Sequence, residues 1–179
     1  MEFAVLGWPE DGPTLELDWR RFSYAGKFVM SSTGKTVARD ADAVVGAVAF
    51  NEDRSTDGRA WIRYVTVRED ARGQGIGPRL TAYTVTELLD RYESVRTAAN
   101  NPYSYESFYK AGFAFTGETT GIEGLVLERG TDAPPSVEQY RAGLDRLADR
   151  DLTEAERTFL AEKRRAGPPA RVDPPKGED

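Results

Sequence analysis

The first 70 residues carry short apolar runs separated by glycine, proline and acidic residues, which is the pattern of β-strands joined by turns. Two of these runs flank the polar residues 40–42 and are expected to pair as a hairpin. The last run is rich in β-branched and aromatic residues, which favour strands. A short helix is expected over 19–24. The predicted strands are 3–6, 36–39, 44–50 and 60–67.

The spacing of apolar residues becomes helical after residue 77, and an amphipathic helix is predicted over 78–92. A second helix is predicted to end before Gly112, a residue type that commonly terminates helices. This helix spans 103–111, and the remaining predicted strands are 95–99, 113–116 and 125–128. The order of strands, helix, strand, helix and strands predicts an α/β (α+β) sheet with mixed strand directions.

The character of the chain shifts after Gly130, where two prolines are followed by two capping-box patterns. These predict helices over 136–149 and 153–166. The first helix carries an apolar stripe that is expected to dock on the parent domain, formed by Val137, Tyr140, Leu144 and Leu147. The last residues are proline-rich and charged, which is typical of disorder. The predicted division is a domain over 1–130, a helical extension over 131–166 and a disordered tail over 167–179.

Composition excludes several classes of function. The 179 residues include neither cysteine nor histidine, which rules out a thiol nucleophile and a Ser-His-Asp hydrolase, and no metal site is predicted. The net charge of −6 argues against a nucleic-acid binder. It suits a cationic acceptor such as an amine, although a generally acidic proteome is the simpler explanation. No apolar run approaches a membrane span and no leader opens the chain, so a cytoplasmic location is expected.

A loop with three glycines, Gly73, Gly75 and Gly77, joins the predicted strand 60–67 to the helix that follows. A helix N-terminus offers unpaired N–H groups and partial positive charge, and glycines let an anion approach the backbone. A dinucleotide fingerprint would need glycine at Pro78, and a Walker A loop would need lysine followed by serine or threonine. A phosphate site therefore competes with a glycine-rich turn that binds nothing.

The loop resembles the pyrophosphate signature of the GNAT superfamily of N-acetyltransferases, Gln/Arg-x-x-Gly-x-Gly/Ala, with Arg72, Gly75 and Gly77 on its defined positions. The chain also resembles the later motif of the family, an asparagine followed by a helix that ends Phe-Tyr-x-x-x-Gly-Phe. Here Tyr109 precedes the Gly-Phe pair by one residue fewer, and the usual spacing back from it falls on Pro102, beside Asn101. The resemblance covers about residues 37–129.

The resemblance implies a GNAT-like, mostly antiparallel central sheet flanked by helices, with acetyl-CoA as the acyl donor. The strand before the loop is expected to be bulged, to separate from its neighbour and to pair with the pantetheine arm, with a backbone N–H near Val67 polarising the thioester. Tyr109 matches the general acid. The general base is not identified among Glu52, Glu69 and Glu106. The implied cofactor-binding residues are Val65, Thr66, Val67, Arg72, Gly73, Gln74, Gly75, Ile76, Gly77 and Asn101.

The leading hypothesis for function is an N-acetyltransferase that moves an acetyl group from acetyl-CoA to an amine of a small molecule or peptide. The first alternative is a catalytically inactive acyl-CoA-binding sensor or regulatory domain. A third hypothesis is an interaction protein whose C-terminal helices dock a partner. Expected partners are acetyl-CoA and the amine acceptor, with self-association into a homodimer, and neither nucleic acid nor membrane.

Overall fold

A computed structural model describes residues 1–121, 124–130 and 135–177. All seven predicted strands, and four of the five predicted helices, are present near their expected positions. The strands are β1 (Glu2–Gly7), β2 (Gly34–Asp40), β3 (Ala43–Glu52), β4 (Arg59–Val67), β5 (Ser94–Ala99), β6 (Ala114–Thr120) and β7 (Gly124–Arg129). The α-helices are α1 (Ile76–Leu89), α2 (Pro102–Lys110), α3 (Val137–Ala148) and α4 (Glu154–Ala166).

The helix expected over 19–24 is wrong. The segment forms turns, and only a short 3-10 helix follows it at Ala25–Lys27. Tyr24 has a φ of 60°, in the left-handed region, and a right-handed helix cannot continue through such a residue.

The strands form one sheet in the order β1-β2-β3-β4-β5-β7-β6, and every neighbouring pair is antiparallel except β4 and β5. A parallel pair needs a crossover connection, and α1 provides it. The predicted α/β class with a mixed, mostly antiparallel sheet is confirmed. α1 packs on this sheet through Leu80, Val85 and Leu88, each fully buried.

Two irregularities in β4 shape the middle of the sheet. Tyr64 pairs with Ala49 of β3, but Ile62 pairs with Phe50, so Arg63 is an extra residue that makes a β-bulge. On the other side, β4 pairs with β5 only at residues 59–61, and the two strands separate beyond Trp61. The bulge and the separation expected for this strand are therefore both present.

The C-terminal helices lie against the rest of the chain. Tyr140, Leu144 and Leu147 of the predicted stripe are fully buried in the main core, while Val137 is exposed. Beyond α4, residues 167–177 have no regular secondary structure, but the N–H of Val172 donates to the carbonyl oxygen of Lys110 at 2.8 Å. The division into domain, extension and disordered tail stays a prediction.

Candidate active site

The opening between β4 and β5 forms a cleft of about 1070 Å³. Its walls are the end of β4, the glycine loop with the first turn of α1, and one face of α2. Ser23 and Tyr24 from the N-terminal loop and Phe159 from α4 also reach it. Of the residues that the sequence predicts to bind a cofactor, those lining the cleft are Val65, Thr66, Val67, Arg72, Gly73, Gly75, Ile76, Gly77 and Asn101; Gln74 does not line it.

The backbone of β4 turns polar groups toward this cleft. The N–H of Arg68 donates to the carbonyl oxygen of Val45 on β3 at 2.8 Å. Along an antiparallel ladder, every second residue directs its backbone N–H and C=O groups to the partner strand, so the backbone groups of Thr66 also face β3. The N–H and C=O groups of Val65 and Val67 therefore point the other way, toward the opening that β5 leaves, where the C=O of Val67 accepts a hydrogen bond from Arg72. An extended ligand has the edge of a strand to pair with at this position.

Thr66 adds a second polar group without a protein partner. Its side chain is buried, and its hydroxyl makes no hydrogen bond with any residue that the structure describes. Thr66 lines the cleft. Buried hydroxyls are usually satisfied, but the hydroxyl of Thr81, which does not line the cleft, is in the same state, so this feature does not by itself indicate a ligand.

The N-terminus of α1 opens into the cleft without a side-chain cap. Its N-cap is Gly75, with φ 78° and ψ 10°, and no side chain of the described residues caps the first turn. Gly73 also has a φ of 78°, and in the described part of the chain an added Cβ at either glycine would meet no atom within 4 Å. The positive φ angles explain glycine at both positions. The free N–H groups and the empty space above them make a concavity suited to an anion.

Arg72 holds the loop against its surroundings. Its Nε donates to the carbonyl oxygen of Val67 at 3.1 Å, and its guanidinium also donates to the hydroxyl of Ser23 at 3.1 Å. The arginine therefore ties the end of β4 to the N-terminal loop and keeps a positive charge beside the uncapped helix. Pro78 sits in the first turn and lines the cleft, but it has no N–H to offer an anion.

Asn101 begins the second helix of the site. Its side-chain oxygen accepts a hydrogen bond from the N–H of Ser104 at 2.9 Å and so caps α2. Its side-chain nitrogen donates to Asn100 at 3.1 Å. Both polar groups of the Asn101 side chain are therefore hydrogen-bonded to the protein, and in this structure Asn101 orients α2 along the cleft.

Tyr109 is not brought to the cleft. Its side chain is buried, its hydroxyl accepts a hydrogen bond from the N–H of Phe115 at 2.9 Å, and it lies 3.4 Å from the hydroxyl of Tyr105. Burial raises the pKa of Tyr109 above its ordinary value, against the smaller opposing effects of these two contacts. This environment is that of a core tyrosine, and the general-acid assignment stays a prediction that the position of the hydroxyl does not favour.

Of the three carboxylates considered as bases, Glu106 lines the cleft, whereas Glu52 and Glu69 do not. Glu106 is almost fully buried and accepts a hydrogen bond from the hydroxyl of Tyr140 on α3 at 2.6 Å. The ammonium of Lys163 on α4 lies 4.0 Å from its other oxygen. The local sequence does not distinguish Glu106 from the other two carboxylates, because the burial of Glu106 depends on the C-terminal helices.

Replacing Tyr109 with phenylalanine tests the role of its hydroxyl. The variant removes the acceptor for a buried N–H, so we expect a loss of about 1–3 kcal/mol of unfolding free energy. Turnover per folded molecule is expected to stay unchanged, because the hydroxyl lies outside the cleft. Tyr105→Phe is the matched control, since this hydroxyl is also buried and donates to the carbonyl oxygen of Tyr140. A hundred- to ten-thousand-fold fall in turnover for Tyr109→Phe alone would establish general-acid catalysis instead.

Comparison with known proteins identifies the family. Residues 2–113 match the model of the acetyltransferase (GNAT) family, which is well over half of the chain. The chain belongs to the GNAT acetyltransferase family. No curated protein matches the sequence. The matched segment contains β1 to β5, the glycine loop and all of α2, and it ends at Phe113, before β6, β7 and the two C-terminal helices.

Solved structures share the fold. A Bacillus subtilis acetyltransferase in complex with CoA superposes with a TM-score of 0.57 at 13% identity, over 73% of this chain and 98% of that one. The protein yncA of Salmonella typhimurium, solved with its cofactor acetyl-CoA, superposes with a TM-score of 0.50 at 17% identity, over 56% of this chain and 66% of that one. At these identities the likeness shows the fold, and the GNAT-like sheet is confirmed.

The GNAT motif explains why Tyr109 points away. In the pattern Phe-Tyr-x-x-x-Gly-Phe the tyrosine lies four residues before the glycine, and counting back from Gly112 gives Phe108. The same shift of one residue moves the expected asparagine from Pro102 to Asn101. Phe108 and Asn101 both line the cleft, whereas Tyr109 does not. Neighbouring residues on a helix point about 100° apart, so one residue decides between cleft and core.

Proposed function

We propose that this GNAT protein transfers an acetyl group from acetyl-CoA to an amine of a small molecule or peptide. The observation that carries the proposal is the combination of two features in one cleft: the free edge of β4 opposite β5, and the uncapped, glycine-rich N-terminus of α1. The strand edge suits an extended chain that carries amide groups, and the helix N-terminus suits a pyrophosphate. CoA carries both groups in series.

The donor is expected to bind as an added strand. The pantetheine arm pairs with the exposed N–H and C=O groups of Val65, as an extended ligand does at a sheet edge, and leaves the N–H of Val67 for the thioester. The N–H groups around Gly73, Gly75 and Gly77 hold the pyrophosphate, with Arg72 nearby to balance its charge. Because Pro78 has no N–H, we expect one contact fewer in the first turn of the helix.

The reaction is direct attack of a neutral amine on the thioester carbon, with breakage of the carbon–sulfur bond. The N–H of Val67 donates to the thioester oxygen and stabilises the negative charge that develops on it. The amine loses a proton, and the departing thiolate of CoA gains one. Glu106 is the buried carboxylate in the cleft and is our candidate for the group that takes the proton, directly or through water.

An acyl-CoA-binding domain without catalysis is the second candidate. It is favoured by one observation, that the residue of the tyrosine motif which lines the cleft is Phe108. Phenylalanine has no proton to donate to a leaving thiolate. Such a protein would bind acetyl-CoA through the same groups but release no CoA when amines are added. The homodimer and the cytoplasmic location stay predictions.

The deciding experiment measures CoA release from acetyl-CoA across a panel of amines, from polyamines and amino acids to peptide N-termini. Amine-dependent release that exceeds hydrolysis establishes the enzyme. Glu106→Gln, with Glu69→Gln as the control outside the cleft, is expected to lower turnover about a hundredfold or more while leaving CoA affinity near that of the unmodified protein. Binding of acetyl-CoA without release for any amine would favour the sensor, and absence of binding would refute both.

A further inference from the structure

The β-bulge at Arg63 lies in the part of the cleft away from the glycine loop, and it changes which face of the sheet the side chains occupy. Ile62 packs in the main core with α1, whereas Tyr64 packs with Phe28 of the N-terminal loop. Residues two apart on a regular strand share a face, so the bulge is what separates these two. Arg63 and Tyr64 therefore both lie on the face of the sheet opposite to α1, beside the N-terminal loop.

The Arg63 side chain is held in place but is not neutralised. Its Nε donates to the side-chain oxygen of Asn51 at 2.7 Å, and its guanidinium carbon lies 5.1 Å from the centre of the Trp61 ring. Three arginines on β4, after it and on β5 form ion pairs with carboxylates: Arg59, Arg68 and Arg96. Arg63 forms none with any residue that the structure describes. Its two terminal nitrogens are donors still available to a ligand in the cleft.

Positive charge predominates in the cleft although the whole chain is acidic. Arg63, Arg72 and Lys110 line it, and in the described part of the chain the only carboxylate that lines it is Glu106. Asp53 is near the bulge, but both of its oxygens are already hydrogen-bonded within its own hairpin. Like charges repel, so the cleft disfavours a polycationic acceptor and favours one that carries a negative charge.

Tyr24 adds an aromatic surface next to Arg63, and it does so with a strained backbone. Its φ of 60° and ψ of 20° lie in the left-handed region, which is rare for a residue other than glycine. Its ring is 54% exposed and lies 5.6 Å, between ring centroids, from the ring of Tyr64. Both tyrosines line the cleft. Backbone strain of this kind concentrates at binding and catalytic sites, and a ring this exposed is not explained by core packing.

We propose that the amine acceptor is an α-amino acid with an aromatic side chain, that Arg63 binds its carboxylate, and that Tyr24 and Tyr64 pack against its ring. The proposal rests on the proposed function and names the class of its acceptor. Guanidinium groups bind carboxylates through paired, charge-assisted hydrogen bonds, and aromatic rings attract one another beyond the burial of their surface. The amine nitrogen bonds to the acetyl carbon as the carbon–sulfur bond breaks. The products are CoA and an N-acetyl amino acid whose carboxylate is unchanged.

The spacing along β4 fits an acceptor of this size. Arg63 lies four residues before Val67, which is roughly 13 Å on an extended strand. Four steps fill this distance: the hydrogen bond to the thioester oxygen, the approach of the amine to the thioester carbon, the separation of amine and carboxylate in the acceptor, and the bond to the guanidinium. Each step spans about 3 Å.

The test compares phenylalanine with phenethylamine, which lacks only the carboxylate, by CoA release from acetyl-CoA with the full chain. We expect kcat/KM to be about tenfold or more higher for phenylalanine, because a charge-assisted hydrogen bond is lost in the amine. Arg63→Gln should remove most of this preference and leave the Kd of acetyl-CoA unchanged. Arg54→Gln is the matched control, since Arg54 is exposed in the same hairpin and outside the cleft, and it should keep the preference. Melting temperatures establish that both variants are folded.

A second variant tests the aromatic surface without adding backbone strain. Glycine adopts the φ of Tyr24 freely, so Tyr24→Gly should stay folded while its preference for phenylalanine over alanine falls about fivefold. An unchanged preference would overturn the aromatic part of the proposal.

Three results separate this proposal from the proposed function. Equal use of phenylalanine and phenethylamine, a preference that survives Arg63→Gln, or faster turnover with polyamines would each overturn the acceptor class and leave the acetyltransferase standing. No CoA release with any amine would end both.

Discussion

Replacing Gly75 with valine is expected to abolish the stabilisation of this protein by CoA. For the unmodified chain, CoA at a hundred times its Kd should add about 2.7 kcal/mol to the unfolding free energy. Gly75 lies at the uncapped start of α1, where an added side chain enters the space above the free N–H groups. A β-branched side chain there prevents a pyrophosphate from reaching them. The measurement is the melting temperature with and without CoA.

The control for this variant must carry the same backbone strain away from the cleft. Gly12 has φ 60° and ψ 43°, also in the left-handed region, and an added Cβ would make only ordinary contacts with Ser31. Gly12→Val and Gly75→Val should both be less stable than the unmodified chain, by about 1–2 kcal/mol. CoA should still stabilise Gly12→Val by the full amount. An undiminished CoA effect in Gly75→Val would refute the pyrophosphate site.

Local sequence patterns predict most of the scaffold of this site. The β-branched run 60–67, the three glycines and the helical period after them specify a strand, a loop and a helix from neighbouring residues alone. The structure has β4, the glycine turn and α1 at these places. The positive φ of Gly73 and Gly75 is likewise a local property, because only glycine adopts it without strain.

Features that depend on distant contacts could not be predicted in the same way. Tyr109 and Phe108 are both large aromatic residues on one helix, and the choice between core and cleft is made by packing against Tyr140 on α3. The participation of Phe159 in the cleft depends on how α4 docks on α2. Neither contact is visible in the local pattern of apolar residues, since the partners are 30 or more residues apart, and only the motif spacing back from Gly112 distinguishes Phe108 from Tyr109.

The N-terminal loop gives the clearest case. Lys35 looks like a surface residue in the sequence, yet it is fully buried, and burial lowers the pKa of its ammonium. The ammonium donates to the carbonyl oxygens of Pro13, Met30 and Thr33, at 2.6, 2.7 and 2.9 Å. These bonds hold together a segment without long helices or strands, from which Tyr24 reaches the cleft. The conformation of a loop that depends on one buried side chain cannot be predicted from the periodicity of its apolar residues.

β4 and β5 still pair at residues 59–61, and the carboxylate of Asp53 stabilises this paired end of the opening. Its removal is expected to cost more stability than most substitutions. Asp53 follows β3, and only 6% of its side chain is exposed. One oxygen accepts hydrogen bonds from Arg59 Nε at 2.6 Å and Trp61 Nε1 at 2.7 Å. The other accepts from the N–H and hydroxyl of Ser55 at 2.9 and 2.7 Å. Arg59 and Trp61 belong to the short part of β4 that still pairs with β5.

Asp53→Asn keeps the shape of this group but removes its charge and turns an amide N–H₂ toward one set of donors. We expect a loss of about 3 kcal/mol of unfolding free energy. Asp57→Asn is the matched control, because Asp57 is exposed in the same loop, and it should change stability by less than about 0.5 kcal/mol. Equal unfolding free energies of the two variants would show that the Asp53 carboxylate does not stabilise the β3–β4 hairpin.

The same carboxylate predicts how stability depends on pH. Burial alone would raise the pKa of Asp53, but hydrogen bonds from Ser55, Arg59 and Trp61 outweigh it and hold the pKa well below its usual range. A carboxyl with a depressed pKa stabilises the folded state above its unfolded pKa of about 4, and this contribution is lost as the pH falls below that value. The difference in unfolding free energy between the unmodified chain and Asp53→Asn should therefore be constant from pH 7 to pH 5 and shrink toward pH 2. Urea titrations at each pH measure it, and a difference that stays constant down to pH 2 would show that protonation of Asp53 is not linked to unfolding.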